Sequence, residues 1–363
     1  MCHLSAMVES PVRVLHVIKS LSLGGTEKVM QLFVANLDPA RFAPAVYSRV
    51  NGVRASQIRA AGVDTFIGAD LLGVIERFRP QIVHVHRAGW PEPDLLMPIK
   101  RARVPVVVET NVFGRHDPSP QAKIIDHTLF VSRFCLDRFF ATTPVAPAPA
   151  RYSYLYNPVD TDLFAKAAAP DRDFSRPVAG RVSRPDPGKW SRLALDFLPL
   201  LVREVPDFRY LIIGGIPEAR DFVREHGLRG HVLFRDQVKT DAEIAAFLNG
   251  VSVLAHANDT GESFGLAIAE AMACGLPVVT HPSEGLRDNA QLELVEHGVT
   301  GLVADSAEGY AMALKYLFSH PEEARRMGMA GREKAARLFR MQDIARKLEA
   351  VYLELLRRKG IVQ

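Results

Sequence analysis

Two glutamates, Glu262 and Glu270, are separated by seven residues in the segment GESFGLAIAEAMACGLPVVTH, Gly261 to His281. Ser263 is placed to cap a helix beginning near Phe264, and Gly275-Leu276-Pro277 ends that helix before the next strand. The amides of Phe264, Gly265 and Leu266 would then face outward at the positive end of a helix dipole, where a phosphate binds readily. Gly265 has no side chain to keep a ligand away. Each glutamate can accept hydrogen bonds from sugar hydroxyls, although a helix carrying two solvated glutamates shows the same pattern. Upstream, GRVSRPDPGKW (Gly180 to Trp190) follows a strand-like run and sets Arg184 and Lys189 at a strand-to-helix junction. Two cations there can neutralise a diphosphate and stabilise charge as it builds on a leaving group; a pair of exposed surface cations is the plainer account. In the first half, SLSLGGTEKVM (Ser20 to Met30) places Gly24 and Gly25 at a helix start, with Thr26 available as a cap. The loop is not G-x-G-x-x-G, and the second strand, PAVYSR, ends in Arg49 rather than in an acidic residue, which disfavours NAD.

His84 and His86 alternate on one face of IVHVH, spacing that suits either a core strand or two metal ligands. No third His, Cys or carboxylate with metal-site spacing is apparent. Glu109 and Asn111 lie in ETNVFG (Glu109 to Gly114), which follows a strand end, the usual place for ligand loops in open α/β sheets.

The elements that must position these groups are legible in the pattern. Short β-branched runs alternate with helix-spaced stretches from Pro11 onward: 12–18, 44–49, 64–68, 82–86, 104–110, 127–132 and 152–157. They are too continuously apolar for half-exposed antiparallel strands and fit a parallel sheet covered on both faces. Helix candidates lie between them, at Glu27 to Leu37 and Leu71 to Phe78. The rhythm breaks in a Pro- and Ala-rich stretch from Phe140 to Arg176, then resumes at 177–183, 209–215, 231–236, 251–257, 277–281 and 300–305. The fold class is therefore α/β, two Rossmann-like domains. The tail from Pro321 to Lys359 is helical in pattern. The chain has 363 residues, 48% hydrophobic and 24% charged, with Lys+Arg 45 against Asp+Glu 41 and a net charge of +4. This is a soluble-globular composition, too weakly basic to argue for nucleic acid. The three cysteines, Cys2, Cys135 and Cys274, form no framework. No apolar run approaches the roughly 18 to 20 residues of a membrane span, and MCHLSAMVES lacks the layout of a signal peptide, so a cytoplasmic protein is expected.

Glu262-x7-Glu270 inside ESFGLAIAEAMACGLPVV resembles the signature of retaining glycosyltransferases of the GT-B fold, family 4. The resemblance implies two domains facing across a cleft: residues 1–165 binding the acceptor, 166–342 binding the nucleotide-sugar, and a C-terminal helix, 343–363, packing back on the first. It implies that Glu262 contacts the donor sugar and that Glu270 binds the nucleotide ribose, with Ser263, Phe264, Gly265 and Leu266 beside the phosphates. The family's Arg and Lys, about five residues apart, fit Arg184 and Lys189 better than Arg181. Trp190 stands where the family usually has Gly. The Gly24-Gly25 loop would lie against the donor diphosphate and near the acceptor. The second His of the HxH pair, His86, would hydrogen-bond the donor sugar, with His84 as packing. Asn157-Pro158-Val159-Asp160 is similar to the family's interdomain Asn-Gly-Val-Asp element, with Pro158 in place of Gly, and Glu109, Asn111 and Asn157 are expected to line the cleft. Asp160-Thr161-Asp162 also matches a DxD motif, but falls inside that element and is not read as a metal site.

The expected activity is retaining glycosyl transfer from a nucleoside-diphosphate sugar, UDP or GDP, to a glycan, lipid-linked or small-molecule acceptor in envelope polysaccharide or glycoconjugate synthesis. Catalysis would rest on His86, Arg184, Lys189 and Glu262, without a metal or other cofactor. No side chain stands out as a covalent nucleophile, so a same-face mechanism is implied, in which a leaving-group oxygen takes the acceptor proton. The rivals are a nucleotide-sugar epimerase on the same fold, a noncatalytic two-lobed binding protein, and a dehydrogenase. The basic stretches Lys100 to Arg103 and Arg54 to Arg59 leave open a peripheral contact with the inner face of a membrane.

Overall fold

A computed structural model describes residues 10–362; Cys2 and nearly all of the N-terminal stretch examined for a targeting signal lie outside the described residues. The chain divides into two compact units. The first comprises residues up to 130 with 143–155 and 345 onward, and the second comprises 131–142 and 156–344. The division is thus not a single cut near residue 165: the helix Arg133–Thr142 and residues 156–165 belong to the second unit.

In the first unit, β1 (Val12–Ser20), β2 (Phe42–Val50), β3 (Asp64–Ile67), β4 (Ile82–Arg87), β5 (Val106–Asn111), β6 (His127–Phe130) and β7 (Tyr152–Tyr154) form one sheet in the order β3-β2-β1-β4-β5-β6-β7. Every neighbouring pair is parallel. All six residues of β4 and all six of β5 are buried, as a sheet covered on both faces requires. One core joins Leu15, Val17, Val83, Val85 and Val107 to Leu95, Leu96 and Ile99 of the helix Pro93–Arg101. From residue 345 the helix Met341–Arg358 packs in this unit: Leu348, Tyr352 and Leu356 are fully buried, and Glu349 accepts a hydrogen bond from the Asp38 amide at 2.7 Å.

In the second unit, β8 (Val178–Val182), β9 (Arg209–Ile213), β10 (Val232–Arg235), β11 (Val253–Ala255), β12 (Val278–Thr280) and β13 (Gly301–Val303) are ordered β10-β9-β8-β11-β12-β13, again all parallel. Both sheets reverse their strand order once, between β1 and β4 and between β8 and β11. In open α/β sheets the crevice beyond the carboxyl ends of the strands at such a reversal is where ligands bind. The loops at these two points are the ones that carry Gly24-Gly25, Lys189 and Glu262.

Candidate functional site

At the reversal of the second sheet, the loop after β8 delivers Lys189 and the loop after β11 delivers Glu262. Lys189 Nζ lies 3.0 and 3.1 Å from the two carboxylate oxygens of Glu262. The same carboxylate accepts a hydrogen bond from Asn258 Nδ2 at 2.8 Å and lies 3.2 Å from His256 Nε2. Burial raises the Glu262 pKa, but the Lys189 charge and the contacts to His256 and Lys189 outweigh it and bring it down to about 2. Burial meanwhile lowers the His256 pKa against the pull of Glu262. The result is a carboxylate that is ionised and fixed at neutral pH, beside an ammonium that is 27% exposed. A phosphate oxygen approaching Lys189 would therefore find an anchored cation.

Arg184 and Arg181 sit in different surroundings. Arg184 is exposed and lies 3.5 Å from Asp186. Arg181 is fully buried: its guanidinium donates to the Ala257 carbonyl at 2.8 Å and to the Lys189 carbonyl, and stacks over the Trp190 ring at 4.3 Å. Trp190 is buried too, with its indole N–H donating to Gly214 O at 3.2 Å. Arg181 and Trp190 therefore hold the backbone of Lys189 from within, so a large residue at the position of the family's glycine acts as an anchor.

The helix after Glu262 starts later than its sequence suggests. It spans Leu266–Ala273, capped by the backbone of Gly265 at φ 103°, a conformation that favours glycine. Ser263 does not cap it; the hydroxyl donates instead to Asp288 Oδ2 at 2.6 Å, and Asp288 is held by Arg138 at 2.5 Å. The first-turn amides are thus those of 266–268 rather than Phe264, Gly265 and Leu266. Phe264 is buried against Phe339, with ring centroids 5.1 Å apart. Glu270, one turn into the helix, is also buried. The Glu262 backbone is fixed on both sides, its amide donating to Gln291 Oε1 at 3.0 Å and its carbonyl accepting from Ala290 at 2.8 Å.

In the first unit, Gly24 caps the helix Gly25–Asn36 through its backbone, and Thr26 does not serve as the cap. The loop is instead closed by Glu27, which accepts from Ser20 Oγ at 2.6 Å and Ser22 Oγ at 3.1 Å. A Cβ at Gly24 would collide with that carboxylate. His86 is buried rather than exposed at the strand end. Its Nε2 lies 2.9 Å from His16 Nδ1, and its Nδ1 has no hydrogen-bond partner among the described residues. His84 is taken up on both nitrogens, by Tyr352 OH at 2.6 Å and Thr110 Oγ1 at 2.8 Å. A third histidine, absent from the sequence pattern, does arrive: His16 on β1 pairs with His84 across the strands. The three rings offer ligand atoms within 4.8 Å of one another. Four of their six nitrogens are engaged in hydrogen bonds. Burial, and for His84 and His86 the neighbouring rings, lowers all three pKa values, that of His16 to about 3.

Glu109 and Asn111 are buried rather than lining open space. Glu109 pairs with Arg87 at 2.7 Å and accepts from Thr128 at 2.9 Å, while Asn111 donates to Arg115 O at 2.8 Å. Asn157 falls in the second unit and is buried there, where the following Val159 amide donates to Phe339 O at 2.8 Å. Asp160 caps the helix Thr161–Ala167 and Asp162 pairs with Arg340 at 2.8 Å. The sequence pattern did not single out Asn258, His256, Glu27 or the anchoring role of Arg181. Arg181 meets Ala257 from another loop, whereas His256 and Asn258 share the loop of Glu262, and Glu27 meets Ser20 and Ser22 beside it in the chain; only the polar run His256-Ala257-Asn258 ahead of Glu262 hinted at two of them.

Residues 167–334 match the model of the family glycosyl transferases group 1. A GDP-mannose-dependent alpha-(1-6)-phosphatidylinositol monomannoside mannosyltransferase of Mycolicibacterium smegmatis is 30% identical over 274 residues, 69% of this chain and 64% of that protein. The chain thus spans just under two thirds of that relative. An N-acetyl-alpha-D-glucosaminyl L-malate synthase of Bacillus anthracis is 32% identical over 43% of this chain and 40% of its own. Among solved structures, a glycosyltransferase from Rickettsia africae superposes with a TM-score of 0.79 at 16% identity, covering 96% of this chain and 99% of that one. Anabaena Alr3699/HepE in complex with UDP and glucose gives 0.77 at 16% identity, covering 94% and 100%.

Proposed function

We propose that this chain, which has the GT-B fold and whose residues 167–334 match the glycosyl transferases group 1, moves a sugar from a nucleoside-diphosphate sugar to an acceptor with retention of configuration. The observation that carries this reading is the Lys189–Glu262 pair, set at the strand-order reversal of the second sheet inside the segment that matches the family. In the proposed reaction the bond from the anomeric carbon to the diphosphate oxygen breaks, and Lys189 and Arg184 take up the charge left on the diphosphate. The acceptor oxygen bonds to the anomeric carbon on the face just vacated, and its proton passes to the departing phosphate oxygen. Glu262 accepts hydrogen bonds from the donor sugar and Glu270 from the ribose. The amides of the first helical turn, 266–268, approach the phosphates, with Gly265 capping the helix and Ser263 and Phe264 shaping the turn before it.

The first unit is the proposed acceptor side, with Gly24 and Gly25 at its own strand-order reversal. His86 has one nitrogen, Nδ1, left to offer a sugar. Two cations serve the leaving group in this scheme, so no metal is invoked. The mannosyltransferase relatives make GDP-mannose the first donor to try, and the UDP-bound neighbour makes UDP-glucose the second. No helix among the described residues is long and apolar enough to cross a membrane. Lys100, Arg101 and Arg103 are exposed and suit a peripheral contact with an anionic surface, whereas Arg54 is buried.

Thermal unfolding with GDP, UDP, ADP and NAD, each with and without Mg2+, tests the reading. Binding at about a hundred times the dissociation constant adds roughly 2.7 kcal/mol, a rise of several degrees. A rise with GDP or UDP that does not depend on metal supports the proposal; a rise with NAD alone overturns it.

A further inference from the structure

The loops that follow β4 and β5 in the first unit are held by an unusually costly interior. Arg87, at the end of β4, is buried and pairs with Glu109 at 2.7 Å and with Asp117 at 2.7 Å. Three charges removed from water are expensive to keep and stabilise a fold little in comparison with apolar packing. Their arrangement is spent on the shape of two surface loops. The third guanidinium contact of Arg87 is the carbonyl of Trp90, at 2.7 Å. Gly89, at φ 91°, lies so close to the Asn111 amide that a Cβ there would sit 2.5 Å from it. Asn111 in turn accepts from the Arg115 amide at 3.3 Å and donates to the Arg115 carbonyl at 2.8 Å.

These fixed loops display an aromatic ring and a cation. Trp90 is 52% exposed, and the Arg115 guanidinium lies 5.2 Å from its ring centroid. The other tryptophan, Trp190, is 4% exposed in the second unit. Packing does not call for an exposed indole, and a rigid loop beside the β1/β4 reversal is where this sheet should meet a ligand. A flat apolar ring matches the C–H face of a sugar, and a planar guanidinium matches a phosphate or carboxylate in two-point fashion. The acidic groups nearby do not cancel Arg115: Asp117 is bound to Arg87, and Glu92 is partly buried.

We propose that Trp90 and Arg115 form a subsite for a saccharide that carries an anionic group. This rests on the transferase reading, in which the acceptor binds the first unit, and it names that acceptor's class as a sugar bearing a phosphate or carboxylate, free or as a lipid headgroup.

The full chain is titrated with mannose 6-phosphate, mannose and inorganic phosphate, following tryptophan emission and, independently, heat by calorimetry. Mannose 6-phosphate is expected to quench and blue-shift the emission saturably and to bind about tenfold more tightly than mannose or phosphate, the scale of one charge-assisted contact. W90F should abolish the spectral change and weaken calorimetric binding about tenfold, and R115A should reduce mannose 6-phosphate to the affinity of mannose. Calorimetric binding unaltered in both variants, or no binding of the sugar phosphate and none to phosphatidylinositol vesicles, overturns the proposal. Trp90-dependent binding to phosphatidylinositol vesicles but not to phosphatidylglycerol vesicles of equal charge supports it and identifies the lipid-headgroup source. Equal Trp90-dependent binding to both vesicles means membrane adsorption and overturns it. GDP and UDP melts on the same samples separate the two claims: loss of nucleotide binding with the Trp90 subsite intact defeats only the transferase reading.

Discussion

Replacing Lys189 by Met removes the cation that holds Glu262, and its effects on stability and on turnover have separate causes. At 3.0 Å the two ions attract by about 5 kcal/mol at an effective dielectric near 20, and the desolvation of both offsets part of this. Glu262 keeps Asn258 at 2.8 Å and His256 at 3.2 Å, so the carboxylate is not left bare. The net loss comes to at most about 3 kcal/mol, the scale set by a carboxyl that Lys189 and His256 together hold at a pKa of about 2, below the ordinary carboxylate range. That is a fall of several degrees in the melting of the second unit. Lys189→Met with Glu262→Gln in the same chain removes the buried charge as well and should recover most of the stability.

Turnover follows the other side of the pair. Loss of one charge-stabilising contact at a leaving-group oxyanion costs about 10²- to 10³-fold in rate. Lys189→Met should therefore fall by that factor in nucleoside diphosphate release at saturating GDP-mannose or UDP-glucose, and the double variant, which also loses Glu262 from the donor sugar, should be at least as slow while recovering most of the wild-type stability. A rate within tenfold of wild type in Lys189→Met would refute the assignment of Lys189 to the leaving group. A double variant no more stable than the single would refute the account of the pair.

Acid should act on the same carboxylate. Its folded pKa, about 2, lies below the unfolded value of about 4.5, so its contribution of about 3 kcal/mol is complete above pH 4.5 and is lost as the pH falls to 2; denaturant titrations across that window should show a smaller loss for Glu262→Gln. Arg87→Met leaves Glu109 and Asp117 without their cation and should cost about 3 to 5 kcal/mol in denaturant unfolding, with Arg87→Met/Glu109→Gln recovering part of it; equal stabilities for the two variants would contradict the buried pairing. Transfer should continue undiminished in EDTA, and elemental analysis of the purified protein should find far less than one transition metal per chain. A stoichiometric metal that is lost on replacing His84 by Phe would instead assign the His16, His84 and His86 group as a metal centre.

What the sequence disclosed, and what it hid, follows from the range of the forces involved. The strands were legible because burial on both faces leaves a local mark: IVHVH and VPVVVET read as continuous apolar runs, and β4 and β5 lie there with no residue exposed. The start of the helix after Glu262 was misplaced by two residues because capping is a competition. Ser263 had the right chemistry for a cap, but Asp288, brought close by the fold and held by Arg138, took its hydroxyl, and Gly265 turned the chain in a conformation that favours glycine. Glu109 looked like a cleft residue because its partners, Arg87 and Thr128, are neighbours only across β4, β5 and β6, a pairing no local spacing records. His16 escaped the search for a third histidine in the same way, since it meets His84 through the register of two strands far apart in the chain. Lys189 and Glu262 escaped this concealment because each follows a strand end in its own local pattern, and the reversal in strand order between β8 and β11 then brings the two loops together. A motif read along a chain thus indicates which loops carry chemistry. Which side chains in those loops remain available to a ligand depends on long-range partners, and here those partners take up Glu109 and Ser263 and leave Trp90 displayed.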